Sequence, residues 1–278
     1  MTVLVLGATG KTGRPVVDAL VARGVQVRAA SRNPAVATAG VEPVRFDWAD
    51  RSTWAAALHG IDTMYVVGPY TVPGEPHLVG HLLAAAAHVR RVVLLSVLGV
   101  DQLPDAIPMA AWEADVRASG KEWTILRPNW FQQNFGEGFA ASLRENGELA
   151  LPAAEAVVGF VDTRDIAEVA VAALTEEGHA GLVHIITGPE ALTLRQVIHA
   201  LGEAAGRELR YTALTAAQFA DGLRKAGLDE RSINWQLGLF RLIRDGGNAV
   251  VTDTVERITG HPGRTLKSYA GEIAAIWG

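Results

Sequence analysis

The chain has 278 residues, 49% apolar and 20% charged, enough for one large α/β domain or a domain with a small lobe around a sizeable core. It contains no cysteine, which excludes disulfides and thiolate metal sites and makes a cytoplasmic setting the simplest fit. A formal charge of −5 gives no reason to expect nucleic acid or an anionic membrane as partner, and no apolar run approaches the length of a membrane span.

The first half alternates short apolar runs with amphipathic stretches. Val3–Leu6 reads as a strand, so no signal peptide is expected before it. Arg14–Arg23 carries Val16, Val17, Leu20 and Val21 at helical spacing, with Gly24 as its stop. Val25–Ala30 is a second strand, broken by Ser31-Arg32-Asn33-Pro34, and Val41–Phe46 is a third. A helix at Trp54–Leu58 leads to a fourth strand, Asp62–Val67, closed by Gly68-Pro69. Leu78–Val89 reads as a helix, Val92–Val97 as an apolar strand, Ala110–Ala118 as a helix and Trp123–Leu126 as a sixth strand. Such alternation predicts an α/β fold of Rossmann type, a doubly wound parallel sheet covered on both faces.

After Arg127-Pro128 the pattern loosens. Val157–Val161 and Val183–Ile186 look like strands, and Thr193–Ala205, Ala216–Ala226 and Ser268–Trp277 look helical. Residues 1–128 are therefore expected to form the core that carries the parallel sheet. Residues 129–278 are expected to form interleaved sheet edge and a small helical substrate lobe, the whole being a single structural unit.

The stretch Gly7-Ala-Thr-Gly-Lys-Thr-Gly13 admits two phosphate-binding readings. A triphosphate loop needs a glycine five residues before Gly10, where Val5 stands inside the strand, so that reading fails. A dinucleotide turn needs a glycine for the bend, one for backbone approach to the pyrophosphate and one for close helix packing. Gly7, Gly10 and Gly13 meet these needs between a strand and a helix, and the helix N-terminus favours the phosphates. Lys11 and Thr12 border the same place. At the end of the second strand, the acid that would bind a ribose 2′-hydroxyl is missing. Ser31-Arg32 stands there instead, which favours NADP(H) over NAD(H), the alternative being a solvated loop arginine. Asp47-Trp48 is placed to meet the adenine, or to cap the next helix as Asp50 also can.

These stretches, with Ser119-Gly-Lys-Glu-Trp-Thr-Ile-Leu-Arg-Pro128, Asn129-Trp-Phe131, Asn134, Phe160-Val-Asp-Thr-Arg-Asp-Ile-Ala167 and Gly260-His-Pro-Gly263, resemble the NmrA-like group of atypical short-chain dehydrogenases nearly end to end. The resemblance implies that Gly7, Thr9, Gly10, Lys11, Thr12 and Gly13 border the pyrophosphate, with Ser31 and Arg32 at the 2′-phosphate and Asp47 and Trp48 at the adenine. It places Val67, Gly68 and Pro69 beside the nicotinamide ribose, and Met109, Trp112, Trp130, Phe131 and Asn134 around the substrate pocket. Members of the group include NADPH-dependent reductases of quinones, enals and imines, and proteins that only sense the dinucleotide.

Catalytic residues are harder to find. The positions four beyond Tyr65, Tyr70, Tyr211 and Tyr269 hold Pro69, Gly74, Thr215 and Ile273, so the Tyr-x-x-x-Lys dyad of ordinary short-chain dehydrogenases is absent. Where reductases of the resembling group carry a lysine or histidine, Met109 stands, which donates no proton. Ser96, at the end of the fifth strand, is the candidate to bond the nicotinamide or a substrate carbonyl, or simply to cap the strand. His77 and His81 lack a third metal ligand and read as a solvated helix face; no metal is expected. Arg241 and Arg244, near Trp235 and Phe240, read as lobe surface or pocket rim. The sequence thus favours an NADPH-dependent reductase of a small apolar electrophile, the alternative being a dinucleotide sensor or regulatory protein without turnover. Its partner is expected to be a small molecule.

Overall fold

The computed structural model describes residues 1–34, 36–70, 72, 74–102 and 108–277. In chain order the elements are β1 (Thr2–Leu6), α1 (Gly13–Ala22), β2 (Gln26–Ser31), β3 (Val41–Arg45), α2 (Trp54–Leu58), β4 (Thr63–Val67), α3 (Leu78–Ala85), β5 (Arg91–Leu95), α4 (Pro108–Ala118) and β6 (Glu122–Pro128). There follow α5 (Gln133–Gly136), α6 (Ala140–Asn146), β7 (Glu148–Leu151), β8 (Val157–Val158), α7 (Thr163–Thr175), β9 (Leu182–Ile186) and β10 (Leu192–Thr193). The chain closes with α8 (Leu194–Ala205), β11 (Arg210–Ala213), α9 (Ala216–Lys225), α10 (Glu230–Arg244), α11 (Thr254–Thr259) and α12 (Leu266–Ile273).

The chain divides into two compact units, one of residues 1–128, 163–186 and 257–260, the other of residues 129–162, 187–256 and 261–278. The first unit holds a seven-stranded sheet in the order β3-β2-β1-β4-β5-β6-β9. Every pairing in it is parallel. β1 and β5 have no solvent face, which is why Val3–Leu6 and Val92–Leu95 run apolar without alternation. Helix α1 packs against α7, and α3 against α4. The strand order reverses between β1 and β4, so the ends of β1, β4 and β5 open onto the crevice where ligands of such sheets bind. The expected α/β Rossmann architecture is the one observed.

The second unit has its own core, in which Phe135, Leu143, Phe160, Leu201, Phe240 and Ile243 are buried together. Two small sheets serve it, β8 with β10 antiparallel and β7 with β11 parallel.

Several elements differ from the sequence reading. The Leu78–Val89 helix ends at Ala85, because Lys121 Nζ draws the carbonyls of Ala86 and Val89 into a turn at 2.7 and 2.8 Å. The Val157–Val161 strand is interrupted at Gly159, whose N–H donates to Asn248 O at 3.0 Å. The final helix starts at Leu266, capped by Thr265, and tightens to a 3-10 turn after Ile273. Arg241 and Arg244 belong to α10, a 15-residue helix that the sequence reading did not separate.

Candidate functional site

The turn after β1 is shaped by its glycines. Gly7 has φ +69°, a left-handed backbone that side-chain-bearing residues rarely adopt. Gly10 N–H donates to Gly7 O at 2.9 Å, and Ala8 N–H donates to Ala30 O at 3.1 Å, tying the turn to the end of β2. A Cβ on Gly13 would stand 2.1 Å from Gly7 O, so only glycine lets α1 start this close to the strand.

At the end of β2, the Ser31 hydroxyl is buried and has no hydrogen-bond partner among the described residues. Arg32 beside it is exposed and makes no ion pair among the described residues. A buried polar atom without a partner costs free energy unless a ligand or water supplies one. From the end of β3, Trp48 Nε1 donates to Val67 O at 3.1 Å, which joins the β3 and β4 ends. The Asp47 carboxylate accepts from Ala49 N–H, and the Asp47 carbonyl accepts from Trp54 Nε1 at 3.1 Å. Asp50 caps the 3-10 turn Arg51–Thr53 through Ser52 N–H.

After β4 the backbone of Gly68 lies against the Trp112 ring. A Cβ on Gly68 would come within 2.3 Å of the indole, so glycine here makes room for the ring. Trp112 is fully buried, its Nε1 has no partner among the described residues, and the Tyr70 ring meets it edge-on at 5.0 Å. Met109, one turn earlier on α4, is also buried.

Beside Trp112, Glu113 is buried and fully bonded. Its Oε1 accepts from Ser96 Oγ at 2.6 Å and from Arg127 Nε at 2.9 Å. Its Oε2 accepts from Arg127 Nη2 and Arg117 Nη2, each at 2.8 Å. Burial pushes this carboxyl's pKa up, but the Arg127 and Ser96 hydrogen bonds, the Arg127 charge and the Arg117 bond outweigh it and hold the group below the usual carboxylate range. One carboxylate thereby joins α4 to the ends of β5 and β6. The Ser96 hydroxyl hydrogen goes to Glu113 in this structure, which leaves the lone pairs of Ser96 Oγ for any further partner.

Trp130, Phe131 and Asn134 stand in the second unit. The Trp130 ring meets Phe240 of α10 at 5.3 Å. Phe131 forms an isolated parallel bridge with Val161, flanked by Val161 N–H to Trp130 O at 2.8 Å and Gln132 N–H to Val161 O at 2.9 Å. Asn134 N–H donates to Phe131 O at 3.2 Å. Asp162 is buried and accepts from Gln133 Nε2 at 2.9 Å. His77 pairs with Asp115 at 2.8 Å, and His81 lies 3.2 Å from Arg51. Among the described residues, no three His, Cys, Asp or Glu side chains cluster as metal ligands, and no helix is long and apolar enough to cross a membrane.

Residues 7–177 match the family described as NAD(P)H-binding, more than half of the chain. The chain belongs to that family. Several of the proteins it resembles are named as oxidoreductases. An NAD(P)H azoreductase of Xenophilus azovorans is 36% identical, the alignment covering 99% of each chain. A (4-alkanoyl-5-oxo-2,5-dihydrofuran-3-yl)methyl phosphate reductase of Streptomyces griseus is 35% identical over 98% of each. Among solved structures, the NADPH complex of the quinone oxidoreductase QOR2 of Escherichia coli superposes with a TM-score of 0.85 at 26% identity, covering 98% of this chain and 99% of that one.

The sequence reading missed Glu113 as a polar centre. Its one sequence signal is the four-residue spacing to Arg117 on a helix, which ordinarily marks a solvated ion pair.

Proposed function

We propose that the protein is an NADPH-dependent reductase that passes hydride to a small, fairly apolar electrophile without a Tyr-x-x-x-Lys dyad. The observation that carries the cofactor preference is the pairing of a buried, partnerless Ser31 hydroxyl with the unpaired Arg32, where an acid would select the 2′-hydroxyl instead. A 2′-phosphate supplies the acceptor that Arg32 lacks and a partner for Ser31. The cradle left by Gly7, Gly10 and Gly13, with Thr9, Lys11 and Thr12, suits the pyrophosphate on α1. Asp47 and Trp48 would border the adenine, and Val67, Gly68 and Pro69 the nicotinamide ribose. Met109 and Trp112 would border the substrate on the first unit.

Reduced nicotinamide supplies the hydride when bound. The residues of this chain are left to bind, orient and exclude water. Met109 donates no proton, and the Ser96 hydrogen is held by Glu113. Such a site suits acceptors that take hydride with little acid assistance, namely quinones, enals and imines already protonated to iminium ions, with water supplying any later proton. The azo bond named for the Xenophilus relative belongs to the same chemical class, and the quinone of QOR2 is one of the three.

The test is NADPH oxidation, followed by its absorbance, with a panel of a quinone, an enal, a cyclic imine and an azo dye. Saturable turnover with one class is expected. NADPH binding without turnover across the panel would transfer the reading to a dinucleotide sensor.

A further inference from the structure

A carboxylate that is ionised accepts hydrogen bonds and donates none. Glu113 takes four of them, three from guanidinium nitrogens, at 2.6–2.9 Å, and it is only 2% exposed. The proton in the 2.6 Å contact therefore belongs to Ser96, and the short length is that of a charge-assisted O–H···O⁻ bond. A hydroxyl has a single hydrogen. With that hydrogen spent, Ser96 Oγ has only lone pairs to offer, so any ligand group that bonds it must be a donor.

The place of Ser96 narrows the choice of donor. It follows directly on Leu95, the last residue of β5, and its N–H donates to Leu126 O of β6 at 2.8 Å. The side chain next to Glu113 on α4, Trp112, lies on Gly68 at the end of β4. In a doubly wound sheet the half that begins beyond the switch point receives the second mononucleotide, here the nicotinamide half. Hydride acceptors such as quinones, imines and azo groups present lone pairs there before they react. The carboxamide NH2 of the nicotinamide is a donor in both redox states.

We propose that Glu113 is a positioning residue that fixes Ser96 as the hydrogen-bond acceptor for the nicotinamide carboxamide NH2. This rests on the reductase reading above. Ser96 then sets the rotation of the carboxamide, and with it the orientation of the ring, rather than polarising the substrate.

The experiment measures dissociation constants of the wild type, Ser96→Ala and Glu113→Gln for three probes. The probes are NADPH, its 3-acetylpyridine analogue (a methyl group replaces the NH2) and 2′,5′-ADP, which lacks the nicotinamide. The wild type is expected to prefer NADPH over the analogue by about tenfold, the worth of one net hydrogen bond. Ser96→Ala should bring the ratio close to one while 2′,5′-ADP binds as before. Glu113→Gln should also lower the ratio, because an amide NH2 turned away from Arg117 and Arg127 Nη2 donates to Ser96 Oγ and competes with the carboxamide for its lone pairs. A ratio unchanged in Ser96→Ala overturns the proposal, and this variant decides the matter alone if Glu113→Gln does not fold. A ratio lost in Ser96→Ala but kept in Glu113→Gln removes Glu113 from it. A wild type that binds neither dinucleotide overturns the reductase reading itself, a distinct result.

Discussion

Replacing Gly13 by alanine probes the close approach on which the phosphate turn depends. The new methyl would sit 2.1 Å from Gly7 O, 2.7 Å from Gly7 C and 3.0 Å from the Cα of Ala8. All three are backbone atoms, so no side chain can rotate away, and the start of α1 must separate from the turn by roughly 1 Å. Alanine in place of glycine ordinarily stabilises a helix by up to about 1 kcal/mol, whereas overpacking costs about 1–3 kcal/mol. The expected net effect is a loss of about 1–2 kcal/mol. Gly222 in α9 is the internal control. A Cβ there meets nothing within 4 Å, so Gly222→Ala should gain about 0.5–1 kcal/mol. Urea titration followed by far-UV circular dichroism reads both changes. Fluorescence titration with NADPH should also show weaker binding in Gly13→Ala and unchanged binding in Gly222→Ala. If Gly13→Ala matched the wild type in both assays, the packing argument for the third glycine would be wrong.

Arg32→Ala should weaken NADPH by roughly 10- to 100-fold, the range for charge-assisted bonds, and NADH far less. Equal losses for the two dinucleotides would remove the case for a 2′-phosphate site. Acid sensitivity should come in two separate windows. His184 is buried against His179 at 3.0 Å, and burial first, then the charges of His179 and Arg257, push its pKa down to about 4. Between the ordinary histidine value of about 6.5 and that lower value the unfolded chain binds the extra proton. Its contribution is therefore complete above about pH 6.5 and declines toward pH 4, by at most about 1.4 kcal/mol per pH unit. His184→Gln should flatten the plot of urea midpoint against pH in that window; an unaltered slope would refute the assignment. Glu113 acts lower. Its folded pKa is depressed, so its contribution is present above the unfolded value of about 4.3 and is lost as pH falls through the folded one. Glu113→Gln should make that acid limb shallower, since Asp50, Glu122 and Asp229 are lowered too and keep part of it; an unaltered slope would refute the role of Glu113.

The parts of this molecule readable in its sequence are those set by local covalent chemistry. Gly7, Gly10 and Gly13 are visible because the absence of a side chain is itself the signal. The strands of the parallel sheet are visible because burial on both faces leaves apolar runs such as Val92–Leu95. Ser31-Arg32 stands out because an expected acid is missing. Glu113 is hidden for the opposite reason. Its spacing to Arg117 resembles a solvent-facing pair, and the Ser96 and Arg127 that bury it come from the ends of two strands. The pairing of β7 with β11 likewise joins Glu148 to Arg210, and nothing near either residue announces the other. Helix α10 is obscured because Ile233, Trp235, Leu237 and Leu239 alternate with other residues at a period of two, although Asp229 caps the helix through Ser232 N–H as a helix start should.

The chain passes between its two units five times, after residues 128, 162, 186, 256 and 260. No single cut can therefore separate one unit whole from the other. During synthesis the seventh strand of the sheet reaches β6 only after the segment 129–162 has emerged, so that segment must wait as a loop or begin to collapse before the sheet is closed. A fragment ending at residue 128 would leave β6 as a bare edge, open to pairing with another chain.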